Sequence, residues 1–93
     1  MDIMLTMLKT DLGIRTSTAY DARLTQLLTA AETAIRKEGA STLDASAPLD
    51  QQLIVMYAAW LWRRRDEMTG MPRMLRLALN NRVFGETAGG ADG

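Results

Sequence analysis

Residues 18–39 read TAYDARLTQLLTAAETAIRKEG, and this stretch decides the fold. Tyr20, Leu24, Leu27, Leu28, Ala31, Ala34 and Ile35 recur at i, i+4, i+7, i+8, i+11, i+14 and i+15, which is one face of a helix with 3.6 residues per turn. Arg23, Gln26, Thr29, Thr33 and Lys37 fall largely on the opposite side. Gly39 follows as a stop, with Arg36 and Lys37 placed to favour the negative end of the helix dipole. Thr18 followed three residues on by Asp21 resembles a capping box, although Glu or Gln is the usual partner. The spacing predicts a helix over 19–38.

Upstream, Ile3 to Leu12 carries Met4, Leu8 and Leu12 in one stripe and is closed by Gly13, so a short helix over 3–12 is expected. Downstream, Ala40 to Ala47 is small and polar, with Leu43 as its one anchor. Pro48 then stands where a first helical turn accepts proline, and Asp50 suits the positive end of the dipole. The helix that follows, expected over 48–68, is apolar on more than one side. Leu49, Leu53, Tyr57 and Trp60 make one stripe, Ile54, Ala58 and Leu61 lie beside it, and Val55, Ala59 and Trp62 form another. Trp60 and Trp62 point about 200° apart at 100° per residue, so one small core does not hold both. The second side needs either the last helix or another subunit. Gly70 ends the helix over 48–68 and Pro72 opens the last one at its first turn, with the last helix expected over 71–83 and Met71, Met74, Leu75, Ala78 and Leu79 on its apolar face. Residues 85–93 hold four glycines and no bulky apolar residue, and read as a disordered tail. No segment reads as a strand. The expectation is an all-α fold, a small bundle of about four helices over 1–84 with a flexible Gly-rich tail over 85–93.

Ninety-three residues make one domain and a modest core, a size at which disulfides, a metal or association commonly add stability. With no cysteine and no histidine, disulfides and the usual zinc sites are excluded, and association is the remaining route. The start of the chain lacks the basic region of a signal peptide, and the longest apolar run, Leu53 to Trp62, is about half a membrane span. A soluble protein with no membrane partner is expected. Net charge is zero, yet 63–82 carries Arg63, Arg64, Arg65, Arg73, Arg76 and Arg82 against only Asp66 and Glu67. A neutral whole argues against a dedicated nucleic-acid binder, whose footprint is a strongly basic face.

Ser–His and Cys–His chemistry is impossible here. Asp66 and Glu67 are adjacent on a helix, so they diverge and read as a solvated pair balancing Arg63, Arg64 and Arg65. There is no phosphate-binding loop, dinucleotide fingerprint or metal-ligand spacing. No enzyme, cofactor or metal site is expected. The arginine run reads first as a helix C-terminal cluster and second as a contact for an acidic partner or a nucleic-acid backbone.

Several stretches together carry a likeness. They are Met7-Leu8-Lys9-Thr10-Asp11-Leu12-Gly13-Ile14, then Asp21 to Ala31, then Ile35-Arg36-Lys37-Glu38-Gly39. The apolar helix ending in Trp62-Arg63-Arg64-Arg65 follows, and last Met71-Pro72-Arg73-Met74-Leu75-Arg76-Leu77-Ala78-Leu79-Asn80-Asn81-Arg82. In order, spacing and total length this resembles the small head–tail connector (adaptor, or head-completion) proteins of long-tailed bacteriophages and prophages, over about residues 4–84. The resemblance implies a helical protein that forms a homo-oligomeric ring of about a dozen subunits beneath the portal protein. It implies a platform for the next neck, or stopper, protein and non-specific contact with DNA in the channel. It places the protein in the virion at the head–tail junction, and in the host bacterial cytoplasm during assembly. Mapped onto this chain, Val55, Ala59 and Trp62 are subunit-interface candidates. Arg63, Arg64, Arg65, Arg73 and Arg76 are candidates for charged partner or channel contact, and Phe84 and Glu86 for portal docking. Two other readings stay open: a helix-turn-helix DNA-binding protein associated with packaging, and a generic homo-oligomeric regulatory bundle. Against the first, Met74, Leu75, Leu77, Ala78 and Leu79 leave few polar side chains for base edges.

Overall fold

The computed structural model describes residues 3–64 and 70–92, with side chains through Glu86. Four helices follow one another: α1 (Ile3–Leu12), α2 (Asp21–Glu38), α3 (Pro48–Arg63) and α4 (Arg73–Asp92). No strand occurs among the described residues, so the all-α expectation holds.

The ends of α1 and α2 are built alike. Gly13, at φ 76°, donates its N–H to the Thr10 carbonyl, and Ile14 donates to that of Lys9. Gly39, at φ 131°, donates to Arg36, and Ala40 donates to Ile35. Each pair closes a Schellman motif, in which glycine takes the positive φ that other residues resist. Gly39 is further constrained because a Cβ there would lie 2.9 Å from Val83 Cγ1. The start of α2 differs from the capping box expected at Thr18. The helix begins at Asp21, its preceding residue Tyr20 makes no side-chain cap, and the Asp21 carboxylate turns instead to Lys9 Nζ at 2.8 Å. Pro48 opens α3 as expected. In α4 the proline stands one step earlier than expected: its carbonyl accepts the Arg76 N–H, and the helix starts at Arg73. The end expected for the third helix at 68 lies outside the described residues.

Helix α3 is the axis of the molecule and packs against α1, α2 and α4, while α1 also packs against α2. Leu53, Ile54, Val55, Tyr57, Ala58 and Ala59 are all buried. Among the described α3 side chains only Pro48, Leu49, Gln52, Met56 and Arg63 are exposed, the last four on one narrow strip, and Arg64 just past the helix end is exposed as well. Leu8 from α1, Leu24, Leu27, Leu28, Ala31 and Ile35 from α2, and Leu75 and Leu79 from α4 complete the core, joined by Ala40 and Leu43 from the loop. Each Leu or Ile sealed in this way contributes about 1.5–3 kcal/mol relative to its exposed form. The molecule measures 45 × 30 × 17 Å, so its thin dimension fits about two helices side by side at 8–10 Å spacing. A body this thin leaves every helix except α3 with a broad face toward solvent.

The two indoles on α3 are each half-buried and each held by an edge-on aromatic neighbour. Trp62 meets Tyr20 at 5.3 Å between ring centroids, and Trp60 meets Tyr57 at 5.4 Å. The last helix continues past the expected end at 83, and its backbone is helical through Asp92.

Candidate interaction surface

The apolar face expected to need a neighbour is covered by the protomer itself. Val55 is 6% exposed and Ala59 2%, so neither is available to another subunit. Of the three interface candidates only Trp62 reaches solvent, and only in part. The reason is that α3 is enclosed from three sides, so its second apolar stripe became core.

The largest group of exposed apolar side chains lies on α4 instead, with Ile3, Tyr20, Leu49 and Met56 exposed elsewhere. Leu75 and Leu79 point into the core, while Met74 is 72% exposed, Leu77 47% and Phe84 74%. At 100° per residue Leu77 and Phe84 project within about 20° of each other, and Met74 within about 80° of Phe84, so the three form one outward stripe. The helix is therefore apolar on two opposite faces. Near its first turn the stripe runs into a cleft of about 490 Å³ lined by Met56, Trp60, Arg63, Pro72, Met74 and Leu75. The buried Trp60 Nε1 has no hydrogen-bond partner among the described residues. Leu49, at the start of α3, is also 80% exposed.

The arginine cluster is largely spent within the protomer. Arg63 lies 3.5 Å from the Asp11 carboxylate and donates to the Asp11 carbonyl, tying the end of α3 to the end of α1. Arg64 stacks its guanidinium over Trp60 at 4.9 Å, a cation–π contact. Arg76 sits 3.6 Å from Glu38 and joins α4 to the end of α2. Arg73 is exposed, and Arg65 lies outside the described residues, as do Asp66 and Glu67.

The tightest polar cluster was not read from the sequence. Arg82 donates from Nε to Asp50 Oδ1 at 2.8 Å and reaches Asp50 Oδ2 and the Thr42 hydroxyl with Nη2. Glu86 accepts the Thr42 N–H at 2.7 Å and the Thr42 hydroxyl at 2.8 Å, and its carboxylate lies 3.6 Å from Arg82. Asp50 also accepts the Asp44 N–H, and Asp44 in turn accepts from the Ser46 N–H and hydroxyl. Burial pushes the Asp50 carboxyl up, but the hydrogen bonds from Arg82 and the Asp44 N–H outweigh it and leave it below its ordinary value. The Thr42 N–H, then its hydroxyl, hold Glu86 low as well, and the Asp50 contact raises Arg82. Of the portal-docking candidates, Glu86 is thus occupied inside the protomer and Phe84 is free to touch a partner. The Arg82/Glu86 spacing of four was a readable signal; the pairing of Arg82 with a residue 32 positions away was not.

Among the described residues no group of three or more acidic, cysteine or histidine side chains could hold a metal, and no helix is long and apolar enough to cross a membrane. No family model matches the chain, and neither a curated protein nor a solved structure matches it significantly.

Proposed function

We propose that the chain is a structural assembly subunit, a head–tail connector of a phage or prophage that forms a ring below the portal and carries the next neck protein. The observation that carries the reading is the outward stripe Met74, Leu77 and Phe84, set on a helix whose other face already fills the core. Side chains of this size, grouped and unburied, mark contact surfaces between proteins. The order of helices, with its likeness to connector proteins over residues 4–84, gives that surface its specific role. The disposition of the arginines favours assembly over sequence-specific DNA binding. Arg63, Arg76 and Arg82 each face a carboxylate, so the cluster does not present a continuous basic face. Arg64 and Arg73 suit the looser, non-specific contact with DNA that a channel wall makes.

The test is to mix the purified chain with a portal protein from the same source genome and examine the product by sedimentation and electron microscopy. A ring added to the portal is expected, and Leu77→Asp with Phe84→Asp should abolish it while circular dichroism is unchanged. Failure to co-sediment with the portal, together with salt-dependent binding to duplex DNA, would replace this reading with the helix-turn-helix one.

A further inference from the structure

The second half of α4 is a helix that its own residues do not support. Residues 80–92 read NNRVFGETAGGAD, in which nine of thirteen positions (Asn80, Asn81, Val83, Phe84, Gly85, Thr87, Gly89, Gly90 and Asp92) rank in the lower part of the helix scale. Isolated helices of this length are marginal even when rich in alanine. The last turn has no basic residue to favour the negative end of the dipole. Beyond Leu79 the apolar anchorage among the described side chains narrows to Val83, which packs partly buried against the core at Gly39. Among the side chains described beyond Leu79, none is buried, and only Arg82, Val83 and Glu86 are half-covered. What fastens this half is Val83 over Gly39, Arg82 on Asp50, and Glu86 on Thr42.

We propose that residues 80–92 are a conditional helix: the Arg82–Asp50 and Glu86–Thr42 contacts latch it in place, and opening them lets it uncoil while α1, α2, α3 and residues 73–79 stay folded. The first half of α4 is held mainly by the buried Leu75 and Leu79, to which the solvent-accessible Arg76–Glu38 pair adds little, so the two halves respond differently to charge. Uncoiled, thirteen residues span up to about 45 Å, which gives the chain a folded and an extended form of one arm. The device does not depend on the connector reading.

Acid is the simplest key. Asp50 faces Arg82 from α4, the Asp44 N–H and carboxylate from the loop, and Glu86. Glu86 faces Arg82, Asp50 and both donors of Thr42. Arg36 of α2 acts on Asp44 from behind. Both latch carboxylates are held low by their partners, so their contribution is complete above the ordinary carboxylate range and is lost as pH falls through the folded values. Arg82 keeps its charge throughout.

The experiment is residue-resolved amide hydrogen exchange on the full chain, wild type against Glu86→Ala, at neutral pH and through an acid series. Alanine is the better helix former, so any loss of helix in this variant isolates the latch. At neutral pH the amides of 82–90 should exchange at least about tenfold faster in Glu86→Ala, with α2 and α3 unchanged. The wild type should lose the same protection as pH falls below the ordinary carboxylate range, before α2 and α3 do. Asp50→Asn should act in the same direction; if it unfolds the whole chain, Glu86→Ala, at the solvent end of the latch, still decides. The proposal is overturned if 82–90 is as protected in Glu86→Ala as in wild type. It is also overturned if protection there disappears only together with α2 and α3, or is absent from the wild type at neutral pH.

Discussion

Ile54 in α3 is fully sealed, whereas Leu77 in α4 stands half in solvent, although both belong to helices with apolar residues on opposite faces. Helix α3 lies between three others, so its second apolar side became core. Helix α4 lies at the margin, against α3 and the end of α2, so its second side stayed outside. A two-faced helix therefore does not by itself say that a subunit interface exists or where it lies. Position in the bundle decides which of two such helices keeps its surplus. Here the helix that looked greasier in sequence is the satisfied one.

The largest effect should come from the satisfied side. Ile54→Ala removes a fully buried side chain at the centre of the α3 packing and leaves a cavity that α1, α2 and α4 cannot all close. A loss of about 2–5 kcal/mol is expected. For a domain of this size each kcal/mol shifts the melting temperature by about 4–8 °C, so thermal denaturation should show a fall of at least about 8 °C. A fall of only a degree or two would mean that α3 is not the axis of the core.

Gly39→Ala probes the joint between the two sides. Gly39 ends α2 at φ 131°, and an added Cβ would meet Val83 Cγ1 of α4 at 2.9 Å. Backbone strain and displacement of Val83 together should cost about 1–3 kcal/mol, read as an earlier denaturant midpoint with an unchanged slope. An unaltered midpoint would show that α4 yields at this contact without loss.

All four helices were legible in the sequence because their signals are local. Gly13 and Gly39 end α1 and α2 through the positive φ that glycine tolerates, and Pro48 opens α3 where its missing N–H is harmless. Leu43, the single anchor expected in the loop, is buried. What was not legible depends on distance along the chain. The Thr18–Asp21 box gave way because Lys9 offered Asp21 a full charge, and a partner twelve residues back leaves no trace in the spacing. Helix α4 outran its expected end because Asp50 and Thr42, far upstream, fasten Arg82 and Glu86 where local propensity favours coil. The interface candidates Val55 and Ala59 are buried within the protomer for the same reason: periodicity gives the angle of a side chain on its helix, but not what lies opposite. The outward stripe on α4 was present in the sequence as Leu77 and Phe84, on the side away from the face expected to pack, and it needed the neighbours of α4 to be known before it stood out.

The smallest effect on stability should come from the unsatisfied side. Met74→Gln, Leu77→Gln and Phe84→Gln together remove the stripe from positions that already face solvent, and each exposed substitution is expected to stay within about 0.5 kcal/mol. The melting temperature of the dilute chain should therefore move little, in contrast to Ile54→Ala. Burial of the stripe in an assembly would be lost, so light scattering at rising protein concentration, or in the presence of the portal, should separate variant from wild type where melting does not. A marked drop in melting temperature for the dilute triple variant would mean that these side chains contribute to the folded protomer after all. In that case α4 would differ from α3 only in degree, and the surface would lose its claim to a partner.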